Sequence, residues 1–126
     1  MRSNLKLTNL ESTPSISDYL EKKLSALDKL IDLENENVYA DVEIGKTSNH
    51  HFKGDIFRAE INLHLEDETL RAVAETDNLY ASIDDMKDEI LKEVRNKKKY
   101  RKQILKKGHQ KIKKILRGFF SKDNNN

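Results

Sequence analysis

Residues 57–75, FRAEINLHLEDETLRAVAE, decide the fold of this chain. Apolar and polar side chains alternate over 57–65, which is the period of a strand with one buried face. Three acidic residues at 66–68 interrupt this pattern, and a second alternation follows over 70–74. Two such runs separated by a short polar turn predict a β-hairpin.

Two more strands are expected upstream of the hairpin. Residues 38–44 alternate in the same way and predict a half-buried strand, followed by a turn-rich loop over 45–51. Residues 4–10 predict a leading strand, although their alternation is poor. The three later strands should be antiparallel, because their connections are short.

One helix precedes these three strands and another follows them. Apolar residues recur at spacings of three and four in both, which is the period of a helix with one buried face. The two stripes are Ile16, Leu20, Leu24, Leu27 and Ile31, and Leu79, Ile83, Met86, Ile90 and Val94. Thr13 and Pro14 predict the start of the first helix, which should end near Asp32, and Asp77 or Asn78 caps the second.

The second helix should continue beyond its apolar stripe, because no helix-breaking residue occurs before Gly108. We therefore divide the chain into a domain of residues 1–107 and a basic amphipathic tail of residues 108–126 that ends in a disordered segment. The domain has the order β-α-β-β-β-α. The predicted fold is an α+β two-layer sandwich, a four-stranded sheet with two helices on one face, plus a C-terminal helical extension.

The composition excludes several classes of protein. The chain has 126 residues, which suits one domain, and 37% of them are charged. No apolar run is long enough to span a membrane or to form a secretion signal. The absence of cysteine excludes disulfides and thiol catalysis. These features together predict a cytoplasmic protein.

Charge is distributed unequally along the chain. Residues 1–94 hold 11 Lys/Arg and 21 Asp/Glu, a balance of −10, whereas residues 95–126 hold 13 basic residues and one acid, a balance of +12. The net charge of +2 therefore conceals an acidic body with a strongly basic end. Such a division favours a polyanionic partner bound through the basic end, with a tail folded back on the acidic body as the alternative.

Patterns that indicate catalysis or metal binding are weak. His50 and His51 lie in a loop without further ligands at a helical spacing, and His64 falls on the polar side of its strand. The pair Asp84-Asp85 is typical of the start of a helix rather than of an acid–base pair. The four glycines form no phosphate-binding cluster. We therefore expect no enzyme, no metal and no cofactor.

The basic end indicates a nucleic-acid partner. Five cations fall within about 80° of one another on a helix, roughly 150° from the apolar stripe. They are Lys92, Arg95, Lys99, Lys102 and Lys106. They would span about 20 Å, which matches the spacing scale of nucleic-acid phosphates. The predicted sheet lacks the exposed aromatic pairs of a base-stacking platform, which favours recognition of backbone and shape.

Three stretches of the chain carry a family resemblance. They are residues 13–24, TPSISDYLEKKL, residues 54–63, GDIFRAEINL, and residues 77–84, DNLYASID. In this order they resemble helix one, the third strand and the start of helix two of the ribosome-associated inhibitor and hibernation-promoting factors. The third stretch resembles that family's aspartate–aromatic–isoleucine–aspartate signature, and the similarity covers about residues 4–107.

This resemblance implies a protein that binds the small ribosomal subunit and its rRNA, and we expect it to be a monomer in solution. In the family the domain lies in the channel used by mRNA and tRNA and keeps idle ribosomes inactive under stress. The residues that match the family's rRNA contacts are Lys22, Lys23, Lys29, Lys92, Arg95, Lys98 and Lys99. The basic run adds Lys102 and Lys106 to this set. We expect a short form without the C-terminal dimerisation domain of long members.

Two features depart from the family pattern: the acidic body, and Glu89 at a position where the family commonly has a basic residue. Two other functions therefore stay open. One is a general binder of double-stranded or structured RNA. The other is a module that binds a membrane surface through the cationic tail.

Overall fold

A computed structural model describes the backbone of residues 1–47 and 54–121, with side chains for residues 1–47 and 54–100 and for Lys106. The elements in chain order are β1 (Arg2–Thr8), α1 (Pro14–Leu24), β2 (Tyr39–Thr47), β3 (Ile56–His64), β4 (Thr69–Thr76) and α2 (Leu79–Ser121). This is the predicted order β-α-β-β-β-α. The histidines of the predicted 45–51 loop and the polar end after residue 121 lie outside the described residues.

The four strands form one sheet in the order β1-β2-β3-β4. Strand β1 is parallel to β2, whereas β2, β3 and β4 are antiparallel, as their short connections predict. The acidic turn closes the β3–β4 hairpin, where the Leu65 N–H donates to the Glu68 carbonyl at 2.8 Å. Strand β1 is a largely exposed edge strand, which explains its weak alternation.

Both helices cover the same face of the sheet. The inward residues of β2 and β3 are almost wholly buried, and they pack against the apolar stripes of α1 and α2 in one core. Members with no exposed surface include Ala40, Ile44, Ala59, Ile61, Leu63, Ile83, Met86 and Ile90. Burial of each large aliphatic side chain contributes about 1.5–3 kcal/mol. The predicted α+β two-layer sandwich is confirmed.

Helix α1 is shorter than the apolar spacing predicts. It ends at Leu24, and a tighter 3-10 turn over Ser25–Leu27 follows it. The Ser25 hydroxyl donates to the Lys22 carbonyl at 2.6 Å and so competes for an acceptor of the helix. The tighter turn still buries Leu27 completely, while Ile31 stays half-buried outside the core. The prediction that α1 ends near Asp32 is therefore wrong.

Helix α2 runs through Gly108 to Ser121, past the end that the sequence predicts near residue 107. A single glycine inside a helix costs only about 1 kcal/mol relative to alanine, which good helix formers on both sides offset. No helix in the described part of the chain is long and apolar enough to cross a membrane.

The chain divides into two compact units, Met1–Val94 and Arg95–Asn126. The first unit contains the sheet, α1 and every core residue among the described side chains, the last of which is Val94. The described part of the second unit is helical backbone. The division into a 1–107 domain and a 108–126 tail stays a prediction.

Candidate nucleic-acid interface

The basic residues of the first unit lie on elements whose opposite faces are fixed by the core. The Thr13 hydroxyl accepts from the Ile16 N–H at 3.3 Å, and Pro14 occupies the first turn, so α1 begins as predicted. Because Leu20 and Leu24 face the core, Lys22 is exposed, and Lys29 is exposed beyond the 3-10 turn.

Lys23 differs from these two lysines because it has a carboxylate partner. Its Nζ lies 3.1 Å from Asp84 Oδ1, and the Tyr19 hydroxyl donates to the same oxygen at 2.7 Å. The Tyr19 hydrogen bond, helped by the Lys23 ammonium, lowers the pKa of Asp84. The hydrogen bond to Asp84 in turn raises the pKa of Lys23. Sequence reasoning missed this partner, although Asp84 ends the third family-like stretch.

The start of α2 is fixed from two sides. Asn78, one of the two predicted caps, accepts from the backbone N–H groups of Tyr80 and Ala81 at 2.9 and 3.1 Å. The buried Ser82 hydroxyl donates to the Phe57 carbonyl of β3 at 2.7 Å. Burial of the stripe then leaves Lys92 exposed, with the exposed Glu89 less than one turn before it.

Exposed cations are denser in the second unit. Arg95, Lys98, Lys99 and Lys106 are all exposed. Lys102 lies on the same helix, and its side chain is outside the described ones. Tyr100 is 63% exposed, which makes its ring available to a partner. The candidate contacts therefore lie in both units, with Lys92 in the first and the later residues in the second.

Charges on the open face of the sheet are largely neutralised by partners on the same or the neighbouring strand. Glu60 forms ion pairs with both Arg58 and Arg71, and Arg58 also lies 3.7 Å from Glu75. In the described residues this face offers balanced charge rather than a basic patch. A phosphate backbone would gain little from it.

His64 lies on this open face, as predicted, but it is bonded to its neighbours rather than merely exposed. Its Nε2 lies 3.0 Å from Asp41 Oδ2, its Nδ1 lies 3.0 Å from Thr69 Oγ1, and its ring stacks on Tyr39 at 4.4 Å. Among the described residues, no three histidines or carboxylates come together as a metal site requires.

A run of exposed cations on the last helix of an α+β domain is typical of the class of proteins that bind a polyanion. The chain belongs to the family described as Sigma 54 modulation protein / S30EA ribosomal protein, whose model matches residues 4–102. This family consists of ribosome-associated binding proteins and not of enzymes. The membership of this chain in the family confirms the resemblance seen in the sequence.

Two relatives support this assignment, and a third protein shares the fold. The chain is 29% identical over 103 residues to a ribosome hibernation promoting factor of Klebsiella oxytoca, which covers 82% of this chain and 99% of that protein. It is 32% identical to the N-terminal domain of Thermus thermophilus Protein Y, with a TM-score of 0.63 and coverage of 76% and 98%. A ribosomal subunit interface protein of Coxiella burnetii has the same fold, with a TM-score of 0.55, 18% identity and coverage of 75% and 96%.

Proposed function

We propose that this protein binds the small ribosomal subunit in the channel used by mRNA and tRNA, and that it keeps idle ribosomes inactive. The family membership and the relative named as a hibernation promoting factor support a role on the ribosome. The protein acts as a monomer in the cytoplasm, and it needs no small-molecule substrate, cofactor or membrane.

The single observation that carries the proposal is the set of exposed cations on α2. Arg95, Lys98, Lys99 and Lys106 expose their charges in a segment that contains no acid before Asp123. The twelve cations from Arg95 to Arg117 repel one another in the free protein, and a phosphate backbone relieves this repulsion. The complete proposed rRNA-contact set is Lys22, Lys29, Lys92, Arg95, Lys98, Lys99, Lys102 and Lys106. Lys23 is left out because its ammonium already has a carboxylate partner.

Simultaneous reversal of Lys92, Arg95 and Lys99 to glutamate should weaken ribosome binding steeply. Each phosphate contact adds about 0.7–0.9 to the magnitude of the negative slope of log K against log salt, so this magnitude should fall by about 2–3. The fold should persist, because all three side chains are exposed. Co-sedimentation with ribosomes over a series of salt concentrations measures both quantities.

Single reversals provide the matched control for this experiment. Lys99→Glu and Lys6→Glu change the charge equally at exposed positions, but Lys6 lies on the balanced open face of the sheet. Only Lys99→Glu should reduce binding. Equal binding of the folded triple variant and the wild type refutes the assignment. If generic duplex RNA competes as well as ribosomes do, the protein is a general RNA binder.

Inhibition of translation should arise from occupancy alone. The protein should compete with mRNA or tRNA on the small subunit in vitro, and a high-salt wash should restore full activity, because the contacts are electrostatic. Mass spectrometry of the washed ribosomes should detect no covalent change in rRNA or protein. Persistent loss of activity after the wash would indicate chemical damage instead.

A further inference from the structure

One carboxylate connects the two helices of the first unit. Asp84 Oδ1 on α2 accepts the Tyr19 hydroxyl at 2.7 Å and lies 3.1 Å from Lys23 Nζ, both on α1. The Lys23 ammonium also stands 5.1 Å from the centroid of the Tyr19 ring. That ring meets the ring of Tyr80 on α2 edge to face at 4.8 Å. We name these four side chains the Asp84 latch.

From this geometry we infer that Lys23 is a positioning residue that fastens α1 to α2, and that it makes no phosphate contact. The inference rests on the proposed function, since it changes which lysines contact rRNA. The family resemblance assigns Lys23 to rRNA by position alone. Within the folded chain, however, its charge is already compensated by Asp84, and its side chain is only 26% exposed.

A phosphate would have to compete with Asp84 for this ammonium. The carboxylate is held on α2 and also accepts the Tyr19 hydroxyl, so a phosphate that captured Lys23 would leave a carboxylate beside a second anion. Repulsion between these like charges opposes the exchange. The lowered pKa of Asp84 and the raised pKa of Lys23 agree with a pair in which both groups are charged.

The neighbouring lysine shows the contrast. Lys22 is the preceding residue on α1 and points about 100° away around the helix. It is exposed, so its charge is available to a phosphate. Lys22 is therefore available for a phosphate contact, whereas Lys23 holds α1 against α2. Lys22 provides a matched control for Lys23.

The latch matters for binding because α1 has only 11 residues. A helix of this length is marginal by itself and takes its position from tertiary contacts. The latch fixes the C-terminal half of α1, which carries Lys22 and leads to Lys29. Ribosome binding then uses these two charges without first ordering the helix that presents them.

The test measures the salt dependence of ribosome co-sedimentation for Lys22→Met, Lys23→Met, Asp84→Asn and the double variant Lys23→Met/Asp84→Asn. Lys22→Met should reduce the magnitude of the slope of log K against log salt by about 0.7–0.9, and Lys23→Met should leave it unchanged. Asp84→Asn releases Lys23 and should make the slope steeper. In that background, removal of Lys23 should make it shallower again. If Lys23→Met makes the slope of the otherwise unchanged chain as shallow as Lys22→Met does, the inference is wrong.

A second measurement is independent of the ribosome. Melting temperatures of the free protein complete a double-mutant cycle for Lys23 and Asp84. If the latch exists, the melting temperature of the double variant should fall by less than the sum of the two single-variant decreases. Additive decreases in melting temperature overturn the inference. Failure of the wild type to bind ribosomes refutes the proposed function, and the melting temperatures still decide the latch.

Discussion

Single side chains tie the four strands together across the open face of the sheet. Asn4 on β1 donates to Asp41 on β2 at 2.9 Å, Asp41 lies 3.0 Å from His64 on β3, and His64 lies 3.0 Å from Thr69 on β4. Each strand thus contributes one member. Because β1 is an exposed edge strand, this hydrogen-bonded row helps to hold it in register.

At this scale we predict an acid-sensitive contribution to stability from Asp41. The Asn4 hydrogen bond, with further help from His64, lowers the pKa of this carboxyl. A pKa that is lower in the folded state adds stability above the unfolded value of about 4, and this stability is lost as the pH falls through the folded value. The contribution should stay below about 1 kcal/mol, because the Asp41 side chain is 47% exposed.

Urea denaturation between about pH 2 and pH 6 tests this prediction. The stability of Asp41→Asn should fall less than that of the wild type as the pH decreases, and Asn4→Ala should reduce the pH dependence in the same direction. Parallel pH profiles for Asp41→Asn and the wild type contradict the prediction.

At the scale of elements, the strands and helices follow from local periodicity. The alternation over 57–65 and the spacing of three and four in both helices depend only on near neighbours, so the sequence reveals them directly. The end of α1 escaped prediction because a 3-10 turn buries Leu27 as well as an α-helix would. The spacing of apolar residues does not distinguish the two.

Local periodicity also predicted part of the candidate site. Exposure of Lys22, Lys29 and Lys92 follows from their positions opposite the apolar stripes, and the structure confirms it. The partner of Lys23 could not be found in this way, because Asp84 lies on the other helix and pairs across the fold. Periodicity indicates which way a side chain points, but not which distant group it meets.

The beginning of α2 supports a prediction at the scale of an element. Asn78→Ala should lower the free energy of unfolding by about 0.5–2 kcal/mol, because the Tyr80 and Ala81 N–H groups lose their acceptor. Asp77→Ala is the matched control at the other candidate cap, and it should cost only a few tenths of a kcal/mol. Urea denaturation at neutral pH measures both, and equal losses would mean that Asn78 is not the functional cap.

Across the whole molecule, the buried core and the densest positive charge lie in different parts of the chain. Among the described side chains the core ends at Val94, and residues 1–94 carry a balance of −10, whereas residues 95–126 carry +12. An acidic body is repelled by RNA, so the basic segment must supply most of the electrostatic attraction. Stability and ribosome binding should therefore respond to different truncations.

Removal of residues 108–126 should affect ribosome binding but not stability. The melting temperature should stay unchanged, because every core residue among the described side chains lies before the cut. Ribosome binding should weaken but persist, since the deleted segment carries five Lys/Arg and one Asp, while eight cations from Arg95 to Lys107 remain.

The magnitude of the slope of log K against log salt should also fall, by up to about 0.7–0.9 for each deleted cation that contacts a phosphate. A shorter truncation that removes only residues 122–126 is the control, because this segment holds one Lys and one Asp and has no net charge. Its binding should match that of the full chain at every salt concentration. A large fall in melting temperature after removal of 108–126 would show that the tail belongs to the folded core. Unchanged binding would show that the cations before Gly108 suffice for rRNA and that the tail serves another role.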